Sequence, residues 1–380
     1  MRNKQLHLST IAVHTGQTQN SLGDITSPIH LSTTYERKED GSFNDYSYTR
    51  GGNPNRDAVE NKIAAIEGAE TAIAFSSGLA ALNALFENIL EPGSHIILPD
   101  DCYHGTRLLV DQFFKRWKIS FDEADMTDTN NIKRLLKNNT KLILIETPSN
   151  PQLKITDIIA VAKLAREHNV VTACDNTFAT PLLQQPLEMG IDFIMYSSTK
   201  FFSGHSDILG GIITTNHNSV LSNRIREYQK TAGAVPSPFD CWLLNRSLST
   251  LPLRFPVQCN NAAILATYLS SHPEIEKVYY PGLPSHTNHL IAKQQMKNGF
   301  GSIVSVLIKG DKQAALHFAS RLSIFKHATS LGGVESLVEH RRSAEGNHMI
   351  SPDNLIRLSV GIEDVEDLKD DLMYALEGNV

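Results

Sequence analysis

Residues 196–207 read YSSTKFFSGHSD and close a segment that starts as an apolar strand, DFIMYS. Lys200 is the oddity there. Lysine is normally left in water, yet this one follows a core strand, with Ser197, Ser198 and Thr199 before it and Phe201 and Phe202 after it. A lone lysine at a strand end often just snorkels back to solvent. The surrounding fold decides between that reading and a buried functional amine.

Working outward, strand and helix signals alternate from about residue 57 to 215. DAVENKIAAIEG puts Val59, Ile63 and Ile66 on one helical face, with Gly68 as a stop. TAIAF reads as a strand, SSG follows it, and LAALNALFENIL reads as a helix ended by Pro92-Gly93. SHIILPDD, TKLILIETPSN, VVTACDNT, IDFIMYSSTK and GGIITT read as further buried strands. Among them, TDIIAVAKLAREHN is a helix with Thr156 as its expected N-cap and an end near Asn169. Apolar strands separated by helices make a mainly parallel sheet covered on both faces. Two segments break this rhythm. Residues 14–56 carry turn residues and little periodicity, which is too long for an ordinary connection. After GAVPSPFD, a helical region around 241–271 leads to SIVSVLIKG, a helix near 311–322 and IRLSVGIED. A terminal helix follows, with Val365, Leu368, Leu372 and Leu376 on one face, and the whole is expected to be a second, α+β domain.

Composition narrows the function classes. A chain of 380 residues suits a large domain plus a smaller one. A net charge of −6 gives no electrostatic reason to bind nucleic acid, and the pair Arg341-Arg342 reads as solvated surface charge. Cys102, Cys174, Cys241 and Cys259 are widely spaced with no Cys-x-x-Cys pair, against a zinc ribbon or a disulfide framework. Cys174 reads as a small core residue. MRNKQLHLSTIAV lacks the apolar stretch of a signal peptide, and no run approaches the ~20 apolar residues that span a bilayer. The expectation is a reduced, soluble, cytoplasmic protein with no metal, no nucleic-acid partner and no membrane partner.

In open α/β sheets, ligands collect outside the carboxyl ends of the strands. Here those ends carry Ser76-Ser77-Gly78, then Cys102 through Thr106, Glu146 through Asn150, Asp175-Asn176-Thr177, and Ser197 through Lys200. Each has a plain alternative: SSG as an ordinary cap, Asp175 as a turn residue, Tyr103 as packing. Together they match one cofactor. Pyridoxal 5′-phosphate (PLP) has a phosphate for a helix N-terminus and a flat ring for an aromatic to stack on. Its ring nitrogen wants a carboxylate, and its aldehyde wants a lysine for a Schiff base. The positions of Asp175 and Lys200 leave room for a turn, a short helix and the next strand, which brings both onto adjoining strand ends. Ser197 and Thr199 are placed to complete the phosphate cup. No G-x-G-x-x-G, Walker A or H-E-x-x-H motif competes with this reading.

YTRGGNPN, FSSGLAAL, ETPSNP, DNTFATP, SSTKFFSGHSDILGG, SLGGVESL and RLSVGIED together resemble the Cys/Met-metabolism family of PLP enzymes, from about Ser9 to the C-terminus. That family includes cystathionine γ-synthase, cystathionine β- and γ-lyases and methionine γ-lyase. The resemblance implies an α/β fold type I PLP-dependent transferase (aspartate aminotransferase-like). This means a mainly parallel seven-stranded sheet plus a smaller α+β C-terminal domain. Residues 1–56 would be an arm contacting the neighbouring subunit, 57–245 the PLP-binding large domain and 246–380 the small domain. By resemblance, Lys200 is the Schiff-base lysine, Asp175 the partner of the ring nitrogen and Tyr103 the stacking residue. Ser77, Gly78, Leu79, Thr177, Ser197 and Thr199 match cofactor-binding positions, and Asn150 lies beside the cofactor's phenolic oxygen and the substrate. Arg357 matches the arginine that holds the substrate carboxylate, with Ser330 and Thr329 close by. Tyr48, also counted with the catalytic residues, and Arg50 match a pair that reaches the cofactor phosphate of the neighbouring subunit. A homotetramer built of dimers with shared sites follows.

The chain departs from the common pattern at several positions. Asn55 ends the NPN motif where threonine is usual, His104 replaces a glycine beside Tyr103, and Thr329 stands where glutamate is common. EHRRSAEG at 339–346 replaces a PATMTH-like stretch. Thr329 tips the expectation towards β-elimination of cystathionine to homocysteine, pyruvate and ammonia, within transsulfuration and methionine biosynthesis. Cystathionine γ-synthesis, γ-elimination, and a catalytically silent binding protein that keeps the fold are the alternatives.

Overall fold

The computed structural model describes residues 6–17, 22–216, 219–345 and 351–377. Seven strands form the large sheet: β1 (Thr71–Phe75), β2 (His95–Pro99), β3 (Ser120–Ala124), β4 (Thr140–Glu146), β5 (Val171–Asp175), β6 (Phe193–Tyr196) and β7 (Gly211–Thr215). Their order is β1-β7-β6-β5-β4-β2-β3, parallel throughout except for β7, which runs antiparallel to both β1 and β6. The six strands read from sequence are all present. The seventh, β3, gave little signal because SFDEA is a charged, largely solvated edge strand, a composition that discourages further pairing.

Local chemistry sets the helix ends. Asn53 caps the helix Pro54–Glu67, and Gly68 closes it at φ 75°, where a side chain is disfavoured. The helix Ile158–Glu167 corrects the expected cap. Asp157, not Thr156, accepts from Ala160 N, while the Thr156 amide donates to Thr147 Oγ1. The region around 241–271 is two helices, Pro238–Leu248 and Leu251–Ser270, the second with Pro252 in its first turn.

A second sheet follows, of β8 (Ile275–Tyr279), β9 (Ile303–Ile308), β10 (Lys326–His327), β11 (Leu337–His340) and β12 (Leu355–Ser359), ordered β10-β11-β12-β9-β8. The terminal helix Val365–Glu377 buries Leu368, Leu372 and Leu376 in this sheet's own core.

The helix Leu8–His14 packs on Pro54–Glu67 and Leu251–Ser270 and buries Ala12, so the start of the expected arm belongs to this chain's own core. The stretch after it is irregular, with isolated bridges Thr34–Tyr48 and Arg37–Phe43 and exposed Leu22, Ile25 and Leu31. All four cysteines are buried and free. Among the described residues, no helix is long and apolar enough to cross a membrane.

Candidate active site

A cavity of about 580 Å³ opens where β4, β5 and β6 end. Register places Glu146 opposite Asp175, and Asp175 opposite Met195. Side chains spread along the sequence therefore converge on one edge of the sheet.

One wall is a helix start. Ser77 caps Gly78–Ile89, its hydroxyl accepting from Ala80 N at 3.0 Å. The first amides of such a helix have no intrahelical acceptor, and with the helix dipole they form an anion cradle. The lysine segment is fitted against it. A Cβ on Gly78 would lie 3.2 Å from that of Ser197, and one on Gly211 would lie 2.2 Å from the Ser77 carbonyl oxygen. Thr199 Oγ1 accepts from Gly210 N at 3.0 Å, and Thr177 Oγ1 accepts from Ser197 N at 2.9 Å. Leu79 also lines the cavity.

Behind Lys200, the rings of Phe201 and Phe202 are buried against Phe255 and Tyr196. Each ring contributes roughly 1.5–3 kcal/mol by burial, so the backbone at the lysine is firmly held. Lys200 Nζ donates to Ser330 Oγ at 2.7 Å. Burial first, and then the Arg357 charge, lower its pKa to about 8. Ser330 itself sits at φ 95°, a strained conformation costing about 1–3 kcal/mol that neighbouring contacts must hold in place.

Asp175 accepts from Thr177 N at 3.0 Å. Burial raises its pKa to about 6, opposed by its Thr177 hydrogen bonds and by Lys200. Glu146, accepting from Tyr103 N at 2.9 Å, is pushed well above the carboxylate range by burial and then by the Asp175 charge. Two neighbouring buried carboxyls cannot both ionise, so Glu146 holds the proton and Asp175 carries the charge. The Tyr103 ring lies along the cavity and leaves no room at Gly105, where a Cβ would come within 2.4 Å of it.

Opposite the large sheet, β12 carries Arg357, buried and pinned on several sides. Its Nη1 donates to Asn150 Oδ1 at 2.9 Å, and its Nη2 donates to Ser330 O at 2.9 Å and Glu339 Oε2 at 2.6 Å. Burial lowers its pKa to about 10, still cationic at neutral pH. Thr329 lines the same corner and hydrogen bonds Glu339.

The cavity thus gathers Lys200, Asp175, Tyr103, Ser77, Gly78, Leu79, Thr177, Ser197, Thr199, Asn150, Arg357, Ser330 and Thr329. Tyr48 and Arg50 are elsewhere. Tyr48 is half exposed beside Thr34, and Arg50 donates to Lys230 O. Glu146, read from sequence as part of a strand end, also lines the cavity, whereas Glu339 and Arg341 were not foreseen as site residues. Reading Arg341 as surface charge is corrected, because only 3 % of it is exposed and it lines the cavity; Arg342, paired with Asp353, does fit that reading. A charged residue inside the apolar run SLVEH was the available signal for Glu339.

The donor set suits PLP at every end: an anion cradle, a flat aromatic, an ionised carboxylate and a buried amine of lowered pKa. Fold and site together define a fold type I PLP-dependent enzyme of the aspartate aminotransferase-like class. The comparisons narrow this further. The model of the Cys/Met metabolism PLP-dependent enzyme family matches residues 9–377, and the chain belongs to that family. Cystathionine beta-lyase of Coxiella burnetii is 41% identical to it, over 98% of this chain and 99% of that protein. Cystathionine gamma-synthase of Mycobacterium tuberculosis is 42% identical, over 97% and 96%. The crystal structure of metB from Corynebacterium glutamicum superposes with a TM-score of 0.95 at 43% identity, covering 98% of each chain. PLP is the cofactor.

Proposed function

We propose that this enzyme cleaves L-cystathionine by β-elimination, giving L-homocysteine, pyruvate and ammonia. One observation carries the reading: a neutral residue, Thr329, lines the corner where the ammonium group of an incoming cysteine would need a charged partner for γ-replacement, whereas β-elimination brings in no second amino acid. Thr329 stands at that corner, and the nearest acid, Glu339, already accepts from Arg341, Arg357 and Thr329. Glu146 is engaged by Tyr103 N, and Asp175, held by Thr177 N, is the carboxylate that would pair with the cofactor's ring nitrogen.

Bound PLP supplies an electron sink for the pair left when Cα loses its proton. The chain does the rest. Arg357 takes the substrate carboxylate by two parallel hydrogen bonds, the substrate displacing Glu339 from Nη2 while Asn150 and the Ser330 carbonyl oxygen hold the guanidinium plane. Lys200 Nζ, with a pKa near 8, is neutral often enough to accept the Cα proton at physiological pH. Ser330 Oγ holds that amine in place. Asp175 supplies the negative charge that keeps the ring nitrogen protonated. Tyr48 and Arg50, away from this chain's cavity, complete the site of a neighbouring subunit, in a tetramer of such dimers.

The test is a product assay. Cystathionine is expected to release pyruvate in excess of 2-oxobutyrate. Cystathionine formation from cysteine and an activated homoserine, without pyruvate release, would move the assignment to γ-synthesis.

A further inference from the structure

We infer that Arg341, with His104 beside it, recognises a second carboxylate on the substrate, so that the cavity selects amino acids with two acidic groups. This rests on the cavity being an amino-acid site. A single substrate carboxylate needs one arginine, and Arg357 is already placed for it. Arg341 is a second, built from residues that depart from the common family pattern.

Both guanidinium groups donate to the same oxygen, Glu339 Oε2, and so sit side by side. Glu339 is shared between the two cations and the second acid, Glu345, stands 3.9 Å from Arg341, so the corner is matched in charge but only loosely in contact. Arg341 is also under-used. A guanidinium offers five N–H donors. Here Nη1 donates to Glu339, Nη2 stands 3.9 Å from Glu345 Oε1, beyond hydrogen-bond reach, and Nε is buried with no acceptor. Unmet donors in a buried group are costly, and an anion entering the cavity would meet them.

His104 lines the same space, and its Nδ1 is likewise buried without a partner. The charged groups acting on it are Arg341, Glu345, Glu339 and Arg107. Burial and the Arg341 charge favour its neutral form, which can donate one hydrogen bond to an anion. The class selected is an L-amino acid whose side chain ends in a carboxylate several atoms from Cα. Cystathionine belongs to it; cysteine, methionine and the acetyl ester of homoserine do not.

The test is binding, by calorimetric titration of the holoenzyme with L-2-aminoadipate and L-norleucine. These have the same chain length and end in a carboxylate and a methyl group. L-2-aminopimelate and L-2-aminoheptanoate extend the comparison by one carbon. The dicarboxylic member of at least one pair is expected to bind about tenfold tighter or more, and Arg341→Met is expected to bring that ratio to within about twofold. Equal affinities in the wild type overturn the inference without any variant. So does an Arg341→Met protein that weakens both ligands by one factor, since Arg341 would then act only through Glu339 on Arg357. Failure of all four to bind would remove the amino-acid reading of the cavity as well, whereas failure of the ratio alone leaves that reading intact.

Discussion

Glu339→Gln is the most informative single change, because one oxygen serves two buried cations. Burial alone would raise the Glu339 carboxyl, but Arg357 and Arg341 outweigh it and hold it below its ordinary range. Glutamine keeps the shape and removes the charge, leaving Arg341, Arg357 and Lys200 facing one another. Removing one partner of a buried ion pair costs about 3–5 kcal/mol, a large share of the 5–15 kcal/mol of a typical domain. Chemical unfolding of the apoprotein at fixed protomer concentration reads it. The sign with pH is fixed. A carboxyl lowered in the folded state stabilises above its unfolded value of about 4.3 and ceases to do so as pH falls through its folded value. The variant's deficit is therefore full at neutral pH and shrinks in acid. Adding Arg341→Met to Glu339→Gln is expected to recover part of the loss, because one of the crowded buried cations is then gone. A Glu339→Gln protein within about 1 kcal/mol of wild type at neutral pH would refute the charge-sharing argument.

Other expectations follow from the same geometry. With Lys200 near pKa 8, roughly a quarter of it is neutral at pH 7.5, against about a thousandth for an ordinary lysine. The rate at which apoenzyme condenses with PLP is expected to rise with pH to a midpoint near 8, and a midpoint above 10 would contradict the burial. Arg357→Lys loses the two-point grip on the substrate carboxylate, so kcat/KM is expected to fall about 10- to 100-fold in steady-state assays. Tyr48→Phe and Lys200→Ala proteins, each impaired, are expected on co-refolding to regain roughly a quarter of wild-type activity if sites are shared across a two-fold dimer. Activity no greater than the mean of the two parents would place Tyr48 outside the site.

The legible parts of this protein were those where a residue type conflicts with its local setting. Lys200 ends an apolar strand, Asp175 ends another, and SSG opens a helix, and each anomaly marked a position that converges on the cavity. Less could be read where the meaning depends on pairing far along the chain. Glu339 and Arg357 face each other across β11 and β12, and only that register turns an ordinary-looking Arg341-Arg342 pair into one buried and one surface residue. The edge strand β3 was hidden for a different reason, since an edge need not be apolar. Thr156 lost the helix cap to Asp157, a choice between two adjacent capping residues that sequence alone leaves open.

Ser330 touches both working ends of the site: its hydroxyl meets Lys200 and its carbonyl oxygen meets Arg357. The short connection between β10 and β11 therefore acts like a single adjusting screw with two threads. Any redesign that shifts this loop moves the proposed base and the proposed carboxylate clamp together, so affinity and turnover are expected to change as a linked pair rather than one at a time. Substrate range is better altered from the side of His104, whose helix can be changed without turning that screw.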